Sequence, residues 1–101
     1  MPETSGQLGL DSVIVAGAGH VSCALGSEIA ILDLKNGAYY GLDEIGAAIW
    51  NMLEKPIRVG AVRDALLERY EVEPARGESD LLNLLAELHS HGLICTVPDR
   101  T

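Results

Sequence analysis

The sequence contains no phenylalanine, and Tyr39, Tyr40, Trp50 and Tyr70 are its only aromatic residues, 4% of 101. A core built from this chain must be aliphatic, resting on Leu, Ile, Val and Ala. Basic residues are scarce too: 7 Lys and Arg stand against 15 Asp and Glu, a formal charge of −8. Neutralising phosphates supplies most of the affinity of nucleic-acid binders, so this balance argues against a DNA or RNA partner. It argues equally against an anionic membrane surface. No apolar run approaches the ~20 residues of a membrane span. Residues 1–11 have neither the charged start nor the apolar stretch of a signal peptide. The two cysteines, Cys23 and Cys95, form no CxxC spacing. They read as reduced, buried thiols in a cytoplasmic protein.

Catalytic patterns are missing as well. His89 and His91 are spaced i, i+2 and point to different sides of a helix, where chelation wants i, i+4. Ser22, Ser27, Ser79 and Ser90 have no nucleophile-elbow context, and Gly17-Ala18-Gly19 is not a phosphate loop. His20 and Cys23 lie three apart on an expected strand, so they face opposite ways. The expectation is a protein that is not an enzyme and holds no cofactor or metal.

What is present is apolar patterning, with 48% hydrophobic residues. The length fits one domain, here residues 12–97, with short tails at 1–11 and 98–101. Residues 12–17, 20–25, 28–34 and 38–42 read as strands. Asn36-Gly37 is a strong hairpin signal between the last two. A three-residue loop ending in a left-handed Gly37 pairs Leu34 with Ala38 and Leu32 with Tyr40. That register gathers Ala30, Leu32, Leu34, Ala38, Tyr40 and Leu42 on one face and leaves Asp33 and Tyr39 on the wetter one. A two-residue loop would instead group Tyr39 with Leu32 and Leu34. Separating Asp33 from the leucines favours the first register.

Three helices follow. Asp43 is a good N-cap for the first, whose stripe is Ile45, Ala48, Ile49, Met52 and Leu53. Lys55-Pro56 stops it. The second covers about residues 59–70 and starts without a capping oxygen, because Arg58 precedes it. The third opens near Glu73-Pro74 and ends at Gly92, a natural C′ residue. At about 100° per residue, Leu81, Leu84, Leu85 and Leu88 form an ordinary core stripe, and Leu82 and His89 widen the apolar arc to about 160°. Such a helix is either clamped between sheet and helices or lines a groove with one flank, and the pattern fits both. Leu93-Ile94-Cys95 then returns across the core.

The run EIAILDLKNGAYYGLDEIGAAIWNML, residues 28–53, resembles the signature of PqqD-like proteins, the RiPP recognition elements of ribosomal peptide biosynthesis. The agreement continues through Leu-Leu-Glu-Arg-Tyr-Glu-Val of the second helix and Asp80-Leu81, Leu84-Leu85, Leu88 and Gly92-Leu93-Ile94. It covers about residues 20–95. Arg58 departs from the Ser or Thr often found before the second helix. The resemblance implies an α+β, winged helix-turn-helix-like fold, a three-stranded antiparallel sheet followed by three helices. It also implies a non-catalytic protein that binds the leader segment of a precursor peptide and presents it to a modifying enzyme.

In that family the leader adds as a strand beside the last strand of the meander, here residues 38–42, with its side chains in a cleft against the third helix. The candidate peptide-binding residues are therefore Asp33, Ala38, Tyr39, Tyr40, Gly41, Leu42, Asp80, Leu81, Leu84, Leu85 and Leu88. The Asp80–Leu84 flank is preferred over Leu82 and His89. The tyrosine pair and short acidic body look most like the stand-alone recognition proteins of lasso peptide pathways. The implied partner there is a leader peptidase of transglutaminase-like cysteine-protease type. Pyrroloquinoline quinone biosynthesis, with a radical-SAM partner, is the alternative, and mycofactocin or sactipeptide pathways come third. Two readings of other classes are a winged-helix DNA binder, which would set Glu78, Asp80 and Glu87 among phosphates, and a dimer through the open sheet edge.

Overall fold

The computed structural model describes residues 8–98. Most of the expected tails, residues 1–7 and 99–101, lie outside them. The chain runs β1 (Val13–Ala16), β2 (His20–Leu25), β3 (Glu28–Asp33), β4 (Ala38–Leu42), α1 (Glu44–Met52), β5 (Ile57–Arg58), α2 (Val59–Arg69), α3 (Pro74–Ser90) and β6 (Ile94–Val97). The α+β expectation holds, with a three-stranded antiparallel meander, β2-β3-β4, leading into the three helices. The sequence reading missed a second antiparallel sheet, in which β1 lies between β5 and β6. Leu8 and Leu10, inside the segment expected to be a tail, pack against the core, and the Gly60 N–H donates to the Leu10 carbonyl at 2.9 Å.

The register of the β3-β4 hairpin differs from the favoured one. Asp33 pairs with Ala38, Leu32 with Tyr39, Ile31 with Tyr40 and Ile29 with Leu42. The connection is four residues, 34–37, with Gly37 left-handed as expected at φ 70°. Ile29, Ile31 and Leu42 therefore face the core, and Leu32 and Leu34 are exposed. Asp33 is buried rather than wet. The physical reason is the turn. One Asp33 carboxylate oxygen accepts from the Lys35 N–H at 3.0 Å, the other from Asn36 Nδ2 at 2.8 Å, and the Asp33 carbonyl accepts from the Gly37 N–H at 2.7 Å. A buried carboxylate is tolerable when its lone pairs are filled in this way.

The Asn36 side-chain hydrogen bond, opposed by desolvation and helped by the Lys35 and Asn36 backbone N–H groups, holds the Asp33 carboxyl below its usual value. A depressed folded pKa contributes stability that is complete above the unfolded value, about 3.9 for Asp. It is lost as pH falls through the folded value. Asp33→Asn should therefore melt at a lower temperature than wild type at pH 7, with the gap closing as pH falls below the unfolded value of about 3.9. Thermal melts of both proteins across pH 2–7 check this; an unchanged gap at low pH would mean the ionised carboxylate contributes nothing.

The helices follow local chemistry. Asp43 caps α1, its side chain accepting from the Gly46 N–H at 2.9 Å. α2 starts at Arg58 with no side-chain cap. α3 begins with proline in its first turn and ends with Gly92 at φ 76°. There the Gly92 N–H reaches the His89 carbonyl at 3.0 Å and the Leu93 N–H reaches Leu88 at 3.0 Å, a Schellman closure. The core joins Ile14, Ile31, Leu53, Val59, Val62, Leu81, Leu85, Leu93 and Ile94, all essentially without solvent contact. Both cysteines are exposed, against expectation. Cys23 shares the outward side of the meander with Ala30, its partner on β3, and Cys95 projects from β6.

Candidate peptide-binding cleft

β4 is bonded to β3 on one side and to no strand on the other among the described residues. An edge of this kind presents free N–H and C=O groups. β4 carries no charge and no proline to protect it. Its inward side runs past α3. Tyr40 is half-buried, and its ring lies 4.9 Å from that of His91, just beyond the helix C-terminus. Further along the strand, Gly41 and Leu42 line, with Leu81 and Leu84 of α3, a cleft of about 440 Å³.

The walls of this cleft are largely apolar. α1 supplies Ile45, Gly46 and Ile49, α2 supplies Leu66 and Leu67 with Tyr70 just beyond its end, and α3 supplies Gly77, Leu81 and Leu84. Gly77 does not break α3. A Cβ there would sit 3.1 Å from Val72 Cγ2, so its bareness lets the first turns of α3 pack against the α2–α3 connection. Charge is confined to Asp43, Arg63 and Asp80. Asp43 is engaged in the α1 cap. Arg63 binds Asp64 at 3.0 Å and Glu78 at 3.2 Å, tying α2 to α3. Asp64 first, then Glu78, holds the guanidinium pKa above its usual value. Asp80 has a weaker hold: Arg76 stands 3.9 Å away, and both side chains are open to water.

Of the residues singled out from sequence, Gly41, Leu42, Asp80, Leu81 and Leu84 come together around the cleft. Ala38 and Tyr40 lie on the same strand, on its inward side. Tyr39 is exposed on the outward side. Leu85 and Leu88 are buried in the core and do not line the cleft, and Asp33 closes the hairpin turn. The opposite flank, Leu82, packs against the core outside the cleft. Sequence reasoning missed the contribution of α1 and α2. Ile45 was assigned to the core stripe yet is 38% exposed at the cleft mouth, and Leu67 and Arg63 carry no periodic signal. No group of three or more His, Cys, Asp or Glu side chains is placed to hold a metal among the described residues. No helix among them is long and apolar enough to cross a membrane.

Residues 28–94 match the family described as Coenzyme PQQ synthesis protein D, PqqD. The chain belongs to the PqqD family. It is a PqqD-like recognition element, as the motif around the β3-β4 hairpin implied. Among solved structures it is similar to TbiB1 in complex with the TbiA(beta) leader peptide, with 32% identity and a TM-score of 0.75. That alignment covers 84% of this chain and 99% of the other. A lasso peptide synthetase B1 complexed with its leader peptide shares the fold, at 23% identity and a TM-score of 0.71, over 81% of this chain and 96% of the other. No curated protein sequence matches the chain. The motif residues of this PqqD member thus fall into two groups: Leu85 and Leu88 hold the core, while Gly41, Asp80 and Leu84 border open space, with Leu42 and Leu81 touching both.

Proposed function

We propose that this protein binds the leader segment of a ribosomally made precursor peptide and delivers it, without turnover of its own, to a modifying enzyme. The observation that carries the reading is the unprotected β4 edge running beside the α3 cleft. A leader laid along β4 gains backbone hydrogen bonds from the edge, which supply affinity. Its alternate side chains enter the apolar cleft, which supplies specificity. Asp80, held only by a distant and exposed Arg76, is free to meet a basic leader residue.

The pathway favoured is lasso peptide biosynthesis, because the tyrosine pair and short acidic body resemble its stand-alone recognition proteins; the leader complex at 32% identity, matched over nearly its whole length, supports leader binding. The recipient enzyme is then a leader peptidase of transglutaminase-like cysteine-protease type, and the site of action is the cytoplasm. The second reading is a peptide chaperone of pyrroloquinoline quinone synthesis acting with a radical-SAM enzyme, supported by the family description. Titrating the protein with leaders of both kinds separates the two readings; saturable binding of neither would remove both.

The same titration tests the flank. Leu84→Ala should weaken leader binding about tenfold, since ~0.8 kcal/mol per buried methylene is lost from the contact. Leu82→Ala should leave affinity within about twofold, the change expected of a residue outside the contact. Thermal melts run alongside separate affinity from stability. A larger loss at Leu82, at equal stability, would place the leader on the other side of α3.

A further inference from the structure

A second groove, of about 380 Å³, runs along the other flank of α1 from the cleft. Ile45 and Ile49 of α1 line the cleft, whereas Glu44, Ala48 and Asn51 of the same helix line the groove. β3 adds Glu28 and Ile29, and Arg69 comes from the end of α2. The two spaces are continuous in their walls. Tyr70 borders both, and the cross-strand partners Leu42 and Ile29 lie one in each. Their chemistry differs. The groove has a buried floor of Ile29, Ala47 and Ala48 under three exposed charges, Glu28, Glu44 and Arg69. Neither carboxylate is ion-paired among the described residues. The Arg69 guanidinium lies over the Tyr70 ring, 5.8 Å from its centre.

We propose that this groove takes a lysine or arginine of the leader, carried on the stretch that leaves the β4 edge past Leu42. The proposal deepens the leader-binding reading above and rests on it. Continuity selects the occupant. A chain running off β4 at Leu42 meets the first turn of α1, with Ile45 on the cleft side and Glu44 on the groove side. A helix is ~10 Å across, so an extended chain at ~3.3 Å per residue crosses it in about three or four residues. Charge selects the side chain. A long methylene stem can lie on Ala47 and Ala48 while its cation reaches Glu28 and Glu44 at the water. An acidic side chain would meet two carboxylates, on a protein of net charge −8. An apolar one would cover those carboxylates without pairing them, which costs free energy.

The test changes both partners. On the protein, Glu28→Gln/Glu44→Gln removes the two charges at exposed positions outside the cleft. On the peptide, the synthetic leader that binds best in the titration above has its lysines and arginines replaced by glutamine, one flank of the strand-forming segment at a time. All pairs are titrated by calorimetry, with thermal melts of the variant alongside. The expected result is a loss of about fivefold for the variant with the unaltered leader, the upper range of an exposed ion pair. One flank's replacement should cost wild type the same and cost the variant nothing further. Wild-type affinity for the unaltered leader should also fall more steeply between 50 and 300 mM salt than affinity for that replaced leader. A variant that binds the unaltered leader as wild type does overturns the proposal. So does a flank replacement that costs variant and wild type equally, because its cation is then met elsewhere, at Asp80. Either result leaves tight binding by wild type intact and so spares the leader reading, whereas wild type that binds no leader sinks both.

Discussion

Leu85→Ala should destabilise the folded chain by ~2–5 kcal/mol in urea unfolding at pH 7. Leu85 has no solvent contact and lies on the α3 stripe with Leu81 and Leu88, in the cluster that includes Ile31, Val62 and Ile94. Removing its isobutyl group leaves a cavity ringed by other aliphatic side chains. A domain of this size has a total stability of about 5–15 kcal/mol, so the loss is a large fraction of it. Leu84→Ala, one residue away but half-buried at the cleft, should cost markedly less. The comparison checks how α3 divides its labour. If the two substitutions cost the same, the helix is rotated relative to the sheet and Leu84 is a core residue. The expected order also dictates how binding data are read: any affinity loss in Leu85→Ala must first be corrected for the unfolded fraction.

That division of α3 was only partly legible in the sequence. Periodicity gives the angular order of Leu81, Leu82, Leu84, Leu85 and Leu88, and the cap chemistry at Pro74 and Gly92 gives the ends. Neither says which neighbours surround the helix. The cleft exists because α1 and α2 bring Ile49, Leu66 and Leu67 opposite Leu81 and Leu84, a tertiary arrangement that helical spacing cannot encode. The hairpin shows a different limit. Its existence was plain from Asn36-Gly37, but its register was misjudged because Asp33 was treated as a surface residue. Hydrophobic patterning has no entry for a carboxylate whose partners are supplied by its own turn, and with a period of two, one misplaced residue turns the whole strand over. The face now seen to be exposed, with Leu32 and Tyr39, is the one that the two-residue-loop alternative grouped together. The second sheet was illegible for a simpler reason. β1 pairs with β6 from the other end of the chain and with the two residues of β5, and no local signal records so distant a partner.

The second large effect expected is at the β4 edge: Gly41→Pro should lower leader affinity at least tenfold in a protein that still folds. In an antiparallel pair, residues alternate between those bonded to the partner strand and those whose N–H and C=O turn away. With the hairpin closed by a bonded pair at Asp33 and Ala38, Tyr39 and Gly41 turn their groups away from β3, toward an added strand. Proline at position 41 removes one such donor and puts ring atoms where the incoming chain must lie. A leader carbonyl left without its donor in the closed complex costs ~1–3 kcal/mol, and 1.4 kcal/mol is a factor of ten. Gly41→Ala is the control. A Cβ at this position meets no atom within 4 Å, so alanine tests added bulk while keeping the N–H, and it should bind leader nearly as wild type does. The melts give the result its meaning. A proline variant that unfolds would show that the Gly41 N–H belongs to the β3 ladder, and that Ala38, Tyr40 and Leu42 turn their N–H and C=O groups to the open edge. A proline variant that folds and binds leader normally would mean that the peptide is not held as a strand on β4, and the cleft beside Leu84 would have to account for recognition alone.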